Sequence, residues 1–293
     1  MYTYYIMKNI IVDNKNDGKK VVTFLLNQFN KLTPGTVHKA LRNKDIRINN
    51  VKINENVTIS SGDTITIYIK DEFLEDKYSF EINEKMIVYD DENIVIVNKP
   101  KEISVQSDSS EIGIDKYLRE YYSNDDIKPC HRLDRNTSGL IIFSKNETAN
   151  SAMLATIKDH GIKKYYRALV YGTPKQKTAT LKAYLFKDSK NSRVIIADTK
   201  KKGYQEIITK YQLLNKNDDG TSLLEVELIT GKTHQIRAHL AHIGLPIIGD
   251  GKYGINSVNK QFKKKYQELE SYKITFENVS KPLDYLNGKT VKT

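Results

Sequence analysis

Val22, Leu25, Leu26 and Phe29 recur at i, i+3, i+4 and i+7, which predicts an amphipathic helix near the start of the chain. Thr33-Pro34 then supplies a cap and a first-turn proline for a second, shorter helix with the apolar stripe Val37, Ala40 and Leu41. The period next changes from helical to alternating. Ile46/Ile48, Val51/Ile53 and Ile65/Ile67/Ile69, with turns at Asn49-Asn50 and Gly62-Asp63, predict short strands. Residues 15–70 therefore read as one small unit of two helices and a sheet.

Beyond residue 86 the pattern is rich in strands. Ile87-Val88-Tyr89 and Ile94-Val95-Ile96-Val97 flank Asp90-Asp91-Glu92-Asn93 as a hairpin that stops at Asn98-Lys99-Pro100. Ile114, Tyr117, Leu118 and Tyr121 form a helical stripe, and a further helix spans about 146–159 and ends at Gly161. The run Tyr165–Tyr171 reads as a strand, with others near 180–187, 193–197, 204–213 and 223–229. The segment from Thr233 to Ile243 reads as a helix capped by Thr233. Clustered strands without a βαβ rhythm indicate an α+β fold. The expectation is a mainly antiparallel mixed β-sheet with flanking helices over 86–293, preceded by a small α/β domain.

Charge divides the chain in the same way. Lys and Arg number 47 against 36 Asp and Glu, a net charge of +11. A surplus of this size suggests a polyanionic partner, most simply nucleic acid. Residues 1–70 hold 11 Lys/Arg against 5 Asp/Glu, so more than half of the surplus lies in under a quarter of the chain. Lys39, Arg42 and Lys44 decorate the second helix, and Arg47 lies just beyond it. Residues 71–86 hold six acids against two lysines, so 71–85 reads as an acidic linker. The single cysteine, Cys130, excludes an internal disulfide and a Cys-based zinc site and fits a reducing cytoplasm. No secretory leader and no membrane span are expected.

The chemistry concentrates in His131-Arg132-Leu133-Asp134-Arg135-Asn136-Thr137-Ser138-Gly139-Leu140, which runs into the apolar strand Ile141-Ile142-Phe143. Taken alone, a carboxylate between two arginines is an ion-paired turn. Two further stretches change its standing. One is Lys164-Tyr165-Tyr166-Arg167-Ala168-Leu169-Val170, and the other is Thr230-Gly231-Lys232-Thr233-His234-Gln235-Ile236-Arg237, followed by Gly249-Asp250-Gly251-Lys252-Tyr253-Gly254. In this order and spacing the motifs resemble the RluA family of RNA pseudouridine synthases over residues 86–255. Residues 17–69 resemble the S-four-type RNA-binding domain, which commonly precedes that catalytic domain.

The resemblance implies uridine-to-pseudouridine isomerisation in structured RNA, most simply large-subunit ribosomal RNA. It assigns Asp134 as the attacking carboxylate, Tyr166 as the platform against the base and Arg237 as the partner of Asp134. Arg132 would fill the gap left by the flipped uridine, with His131 and Arg135 touching RNA beside it. Lys39, Arg42, Lys44 and Arg47 would bind RNA from the first domain. No cofactor or metal is implied, because isomerisation has no net redox or hydrolytic step, and a monomer suffices. The chain departs from the family at Asn136, at Lys232 and at Glu270-Ser271, where Leu-His-Ala is usual.

Competing readings are weaker on chemical grounds. A Cys130-His131 nucleophile would need the pair to meet in space. His234, His239 and His242 converge poorly as metal ligands on one helix. The glycines at 249, 251 and 254 lack the lysine-and-hydroxyl ending of a phosphate loop. A base-releasing glycosidase would usually need a second carboxylate. A transfer-RNA substrate and a non-catalytic ribosome-assembly factor remain as alternatives.

Overall fold

The computed structural model describes residues 5–29, 32–70, 80–108 and 112–293. Chain contacts divide it into two compact units, Met1–Glu81 and Ile82–Thr293.

The first unit holds β1 (Tyr5–Ile11), α1 (Val21–Gln28), α2 (Pro34–Arg42), β2 (Ile46–Ile48), β3 (Val51–Ile53) and β4 (Thr64–Lys70). Thr33 caps α2 by accepting the Thr36 N–H, and Pro34 opens it. The four strands form an antiparallel sheet in the order β1-β4-β2-β3. Phe24 and Leu25 of α1 and Val37 and Leu41 of α2 bury against Ile46, Ile65 and Ile67 of that sheet. Strand β1 precedes the boundary expected at residue 15 and pairs with β4. Its apolar residues fall on both faces, with Met7 and Ile11 exposed, so no alternation marks it. Residues 71–79 of the expected linker lie outside the described residues.

The second unit contains β5 (Ile87–Asp90), β6 (Ile94–Lys99), α3 (Ile114–Tyr122), β7 (Lys128–Pro129), β8 (Ser138–Ser144), α4 (Glu147–Lys158) and β9 (Ile162–Tyr171). There follow β10 (Thr178–Asp188), β11 (Arg193–Ala197), β12 (Gln205–Lys216), β13 (Thr221–Leu228), α5 (Gln235–His242), α6 (Asn256–Gln261), β14 (Leu269–Phe276) and β15 (Thr290–Lys292). The sheet runs β11-β10-β12-β13-β9-β14-β8-β6-β5, with β15 on β14 and β7 on β8. Among the described strands only β14 and β8 pair in parallel. The fold is α+β on a largely antiparallel sheet.

Local chemistry explains the element ends. Asp91 accepts the N–H groups of Asn93 and Ile94 and closes the β5–β6 turn. Asn146 caps α4 through the Ala149 N–H. In α3 the inward face is Ile114, Asp115 and Leu118, while Tyr121 is exposed. Asp115 takes Tyr117's expected place because it is satisfied, accepting from Ser107 and from Arg119. The cap of α5 is His234, not Thr233; its backbone is left-handed at φ 53° and its side chain makes no cap bond.

This sheet brings three distant segments together. Strand β8 begins where the His131–Thr137 loop ends, and β14 runs between β8 and β9. The approach depends on Gly139, whose φ is +110°. A Cβ there would stand 2.2 Å from the Ser271 carbonyl oxygen. Ser271, at one of the positions that depart from the family, is fully buried and pairs in register with Tyr166.

Candidate active site

Asp134 sits in a tight turn in which the Thr137 N–H donates to the Asp134 carbonyl. Its carboxylate is only partly exposed, and Oδ2 accepts Nη1 of Arg237 at 2.8 Å. The two residues are 103 positions apart in sequence. The flanking arginines therefore do not supply the close cation expected from sequence. Arg135 Nε donates instead to the Glu102 carbonyl, and Arg132 is exposed.

Arg237 is fixed from the other side by Asp250. Nε and Nη2 donate to the two Asp250 oxygens at 2.7 and 2.9 Å, a fork that leaves Nη1 for Asp134. Burial works against the Asp250 charge, but the Arg237 bonds and the N–H groups of Tyr253 and Lys252 outweigh it and hold the carboxyl below its ordinary range. For Arg237 burial opposes the charge too, and the two carboxylates more than compensate, so it stays a cation. The sequence alone assigns Asp250 no role. Its signal was a lone acid between two glycines, in a motif quoted for resemblance only.

His234 and Tyr253 complete this wall. The Tyr253 hydroxyl accepts the Val194 N–H at 2.8 Å and lies 2.9 Å from His234 Nδ1. His234 Nε2 faces Asp134 Oδ1 at 3.9 Å. Burial is the main influence holding His234 below the usual histidine range.

Lys99 and His131 shape the loop from beneath. The fully buried Lys99 donates to the carbonyls of Pro100, Ile103 and Arg135 at 2.8–3.0 Å. His131 Nε2 accepts the Ile142 N–H at 3.1 Å, so this ring nitrogen is turned into the fold and away from a ligand. Burial, with the nearby Lys164 charge, pulls His131 down to about 3. Burial likewise brings His239 down to about 4, and its Nδ1 lies 3.0 Å from Thr209 Oγ1.

Both imidazoles stay neutral in the fold while their unfolded counterparts titrate near 6.5. Between pH 7 and 5 the unfolded chain takes up more protons, so stability falls with pH. Each contributes a loss of up to about 2 kcal/mol at pH 5. Urea unfolding at the two pH values measures it, and an unchanged midpoint would show that both rings protonate within the fold.

Tyr166 faces the same space from β9. It is 4% exposed, and burial first of all keeps its phenol above the ordinary value, so it stays protonated. Tyr165 points to the opposite face, where the Lys273 ammonium lies 3.8 Å from its ring centre. Asp134, Tyr166, Arg237, His131 and Arg132 thus line one cavity of about 480 Å³, together with Lys164 and His234. An adjoining hollow is bordered by Asp134, Arg132, Arg135 and Lys252. The size and mixed lining suit one small organic ligand.

Other candidates fall away. Burial pushes the Cys130 thiol up to about 12, so it is no thiolate. His242 pairs with Asp198, His239 with Thr209 and His234 with Tyr253, three separate directions. Among the described residues no group of three or more His, Cys, Asp or Glu could hold a metal ion. In the first unit Lys39, Arg42 and Lys44 are exposed, whereas Arg47 lies over the Tyr68 ring at 5.0 Å. No described helix is long and apolar enough to cross a membrane.

The family model described as RNA pseudouridylate synthase matches residues 93–242. An uncharacterized RNA pseudouridine synthase of Mycoplasma capricolum is 33% identical, over 95% of both chains. The ribosomal large subunit pseudouridine synthase C of Rickettsia felis is 33% identical, over 84% of this chain and 85% of its own. The solved structure of human RNA pseudouridylate synthase domain containing 1 superposes with a TM-score of 0.57 at 22% identity. That match covers 73% of this chain and 94% of the human one and shows a shared fold.

Proposed function

The chain belongs to the RNA pseudouridylate synthase family, and we propose that it isomerises specific uridines of large-subunit ribosomal RNA, with Asp134 as the reacting carboxylate. The observation that carries this reading is the Asp250–Arg237–Asp134 relay at the wall of a cavity faced by Tyr166. Arg237 holds the carboxylate aimed into the cavity, as a positioned nucleophile requires. Tyr166 offers a flat face that grips a detached base without fixing its hydrogen-bonding edge, so the ring can turn. Exposed Arg132 at the cavity mouth can replace the base in its stack, which offsets part of the few kcal/mol that flipping costs. The roles need no cofactor and no second chain.

Ribosomal RNA is favoured over transfer RNA by the names of the relatives alone. The Rickettsia felis relative named for the large ribosomal subunit aligns over 84% of this chain. The reaction places the enzyme where ribosomes are made, in the cytoplasm. A non-catalytic assembly factor would have no use for a charged carboxylate held against a polyanion.

The test is tritium release from large-subunit ribosomal RNA carrying [5-³H]uridine, because C5 loses its hydrogen when it bonds to the sugar. Release from that RNA and not from transfer RNA is expected. Release from transfer RNA alone would replace the substrate, and release from neither would favour the assembly factor.

The first unit is proposed as an S-four-type RNA-binding module acting through Lys39, Arg42 and Lys44. Replacing all three by Ala should weaken RNA binding and reduce the slope of log affinity against log salt by about 2–3. Turnover at saturating RNA should stay within about threefold, because these residues hold RNA equally before and during the reaction. An unchanged salt slope would remove the three residues from the interface.

A further inference from the structure

Lys164 lines the cavity beside Tyr166, and the roles above leave it unused. It stands two residues before Tyr166 on β9, so both side chains leave the sheet on the same face. Both line the cavity that also holds Asp134 and Arg237. The other cations there are engaged or displayed outward. Arg237 is divided between two carboxylates, and Arg132, Lys158 and Lys232 are exposed.

Lys164 is half-buried. Among the described residues its ammonium has no hydrogen-bond or ion-pair partner, and burial alone draws its pKa below the usual lysine range. Its Nζ lies beside Gly231, where an added Cβ would come within 3.9 Å of it. Gly231 places no side chain beside the ammonium. A half-buried, unpaired charge is costly in an empty pocket, and a complementary charge arriving with the ligand would relieve that cost.

Resting on the reading of this cavity as the uridine site, we propose that Lys164 binds an exocyclic carbonyl oxygen of the flipped uracil and stabilises the charge the ring carries in mid-reaction. As an Asp134 carboxylate oxygen bonds to C1′, the C1′–N1 bond breaks and its electron pair goes to the ring and spreads over N1, O2 and O4. The C1′–C5 bond then forms from ring electrons as the C1′–O bond breaks and returns its pair to the Asp134 carboxylate, C5 gives up its proton and N1 takes one, so atoms and electrons balance. A preplaced cation in a dry site acts most strongly on charge that appears only in this interval. The phosphates of the same nucleotide belong to the backbone at the cavity mouth, where the exposed Arg132 and Lys232 stand.

The test compares Lys164→Met and Lys164→Arg with native protein on the same ribosomal RNA, by tritium release. Lys164→Met should lower kcat by about 10²–10³-fold, the usual effect of removing one such donor. Its KM should stay within about threefold, because neutral uracil gains little from the ammonium. Lys164→Arg should recover at least about tenfold of the lost kcat, since a cation is restored on a stem of similar reach. A raised KM with native kcat would assign Lys164 to a phosphate and overturn the proposal. Native kinetics, or equal losses in the Met and Arg variants, would overturn it as well. Should Lys164→Met not fold, Lys164→Gln carries the same expectations. Failure of the underlying enzyme reading is separate, because native protein would then release no tritium at all.

Discussion

Asp134→Asn should abolish turnover, by at least about 10⁴-fold in tritium release, while leaving RNA affinity and folding nearly intact. The asparagine keeps an oxygen that can accept from Arg237 Nη1, so the geometry survives and only the charged nucleophile is lost. Stability should change by less than about 1 kcal/mol, because Arg237 keeps its two bonds to Asp250 and is not left without an anion. RNA should bind as well as before, or somewhat more tightly, since one negative charge facing a polyanion has gone. Filter binding and thermal unfolding run beside the activity assay separate these effects. Equal tritium release from the variant and native proteins would remove Asp134 from the chemistry.

Much of the organisation behind that prediction was visible in the chain, and the exceptions share a cause. Periodicity located α1 and α2, which bury a single face, whereas β6 and β8, buried on both faces, were legible as continuous apolar runs. It missed β1, whose apolar residues Met7 and Ile11 remain exposed at a sheet edge. It also named Thr233 as the cap of α5, since a threonine before a helical run is the ordinary signal. The actual cap, His234, is held in a left-handed conformation between Tyr253 and Asp134. Site chemistry outranked local preference there.

The electrostatics were less legible than the motifs. Sequence proximity made Arg132 and Arg135 the natural neighbours of Asp134. The loop instead shows Arg132 to solvent, turns Arg135 Nε to a carbonyl and leaves the carboxylate to an arginine 103 residues away. That neighbour was reachable through family resemblance but not through spacing, because it requires β14 between β8 and β9. Asp250 is a sharper case. A fully buried acid has no signature of its own, and its four contacts with Arg237, Lys252 and Tyr253 exist only once the Gly249–Gly254 turn is folded.

Asp250→Asn should therefore destabilise the fold by about 3–5 kcal/mol, the usual consequence of removing one partner of a buried ion pair. Its carboxylate accepts two guanidinium bonds and two backbone N–H bonds. An amide group has one oxygen to offer and turns its own N–H donors against at least one of those donors. Turnover should also fall by about 10–100-fold, because Arg237 is no longer locked toward Asp134. The double variant with Asp134→Asn separates the two consequences. Its activity should be no lower than that of Asp134→Asn alone, since aiming matters only while there is a nucleophile to aim. Its stability loss should exceed the sum of the single losses by about 1 kcal/mol or more, because only there does a buried guanidinium lack any anion. Urea unfolding at pH 7 measures the excess. Additivity within about 0.5 kcal/mol would show that Arg237 reaches solvent when unpaired, and that the two carboxylates do not share it as one unit.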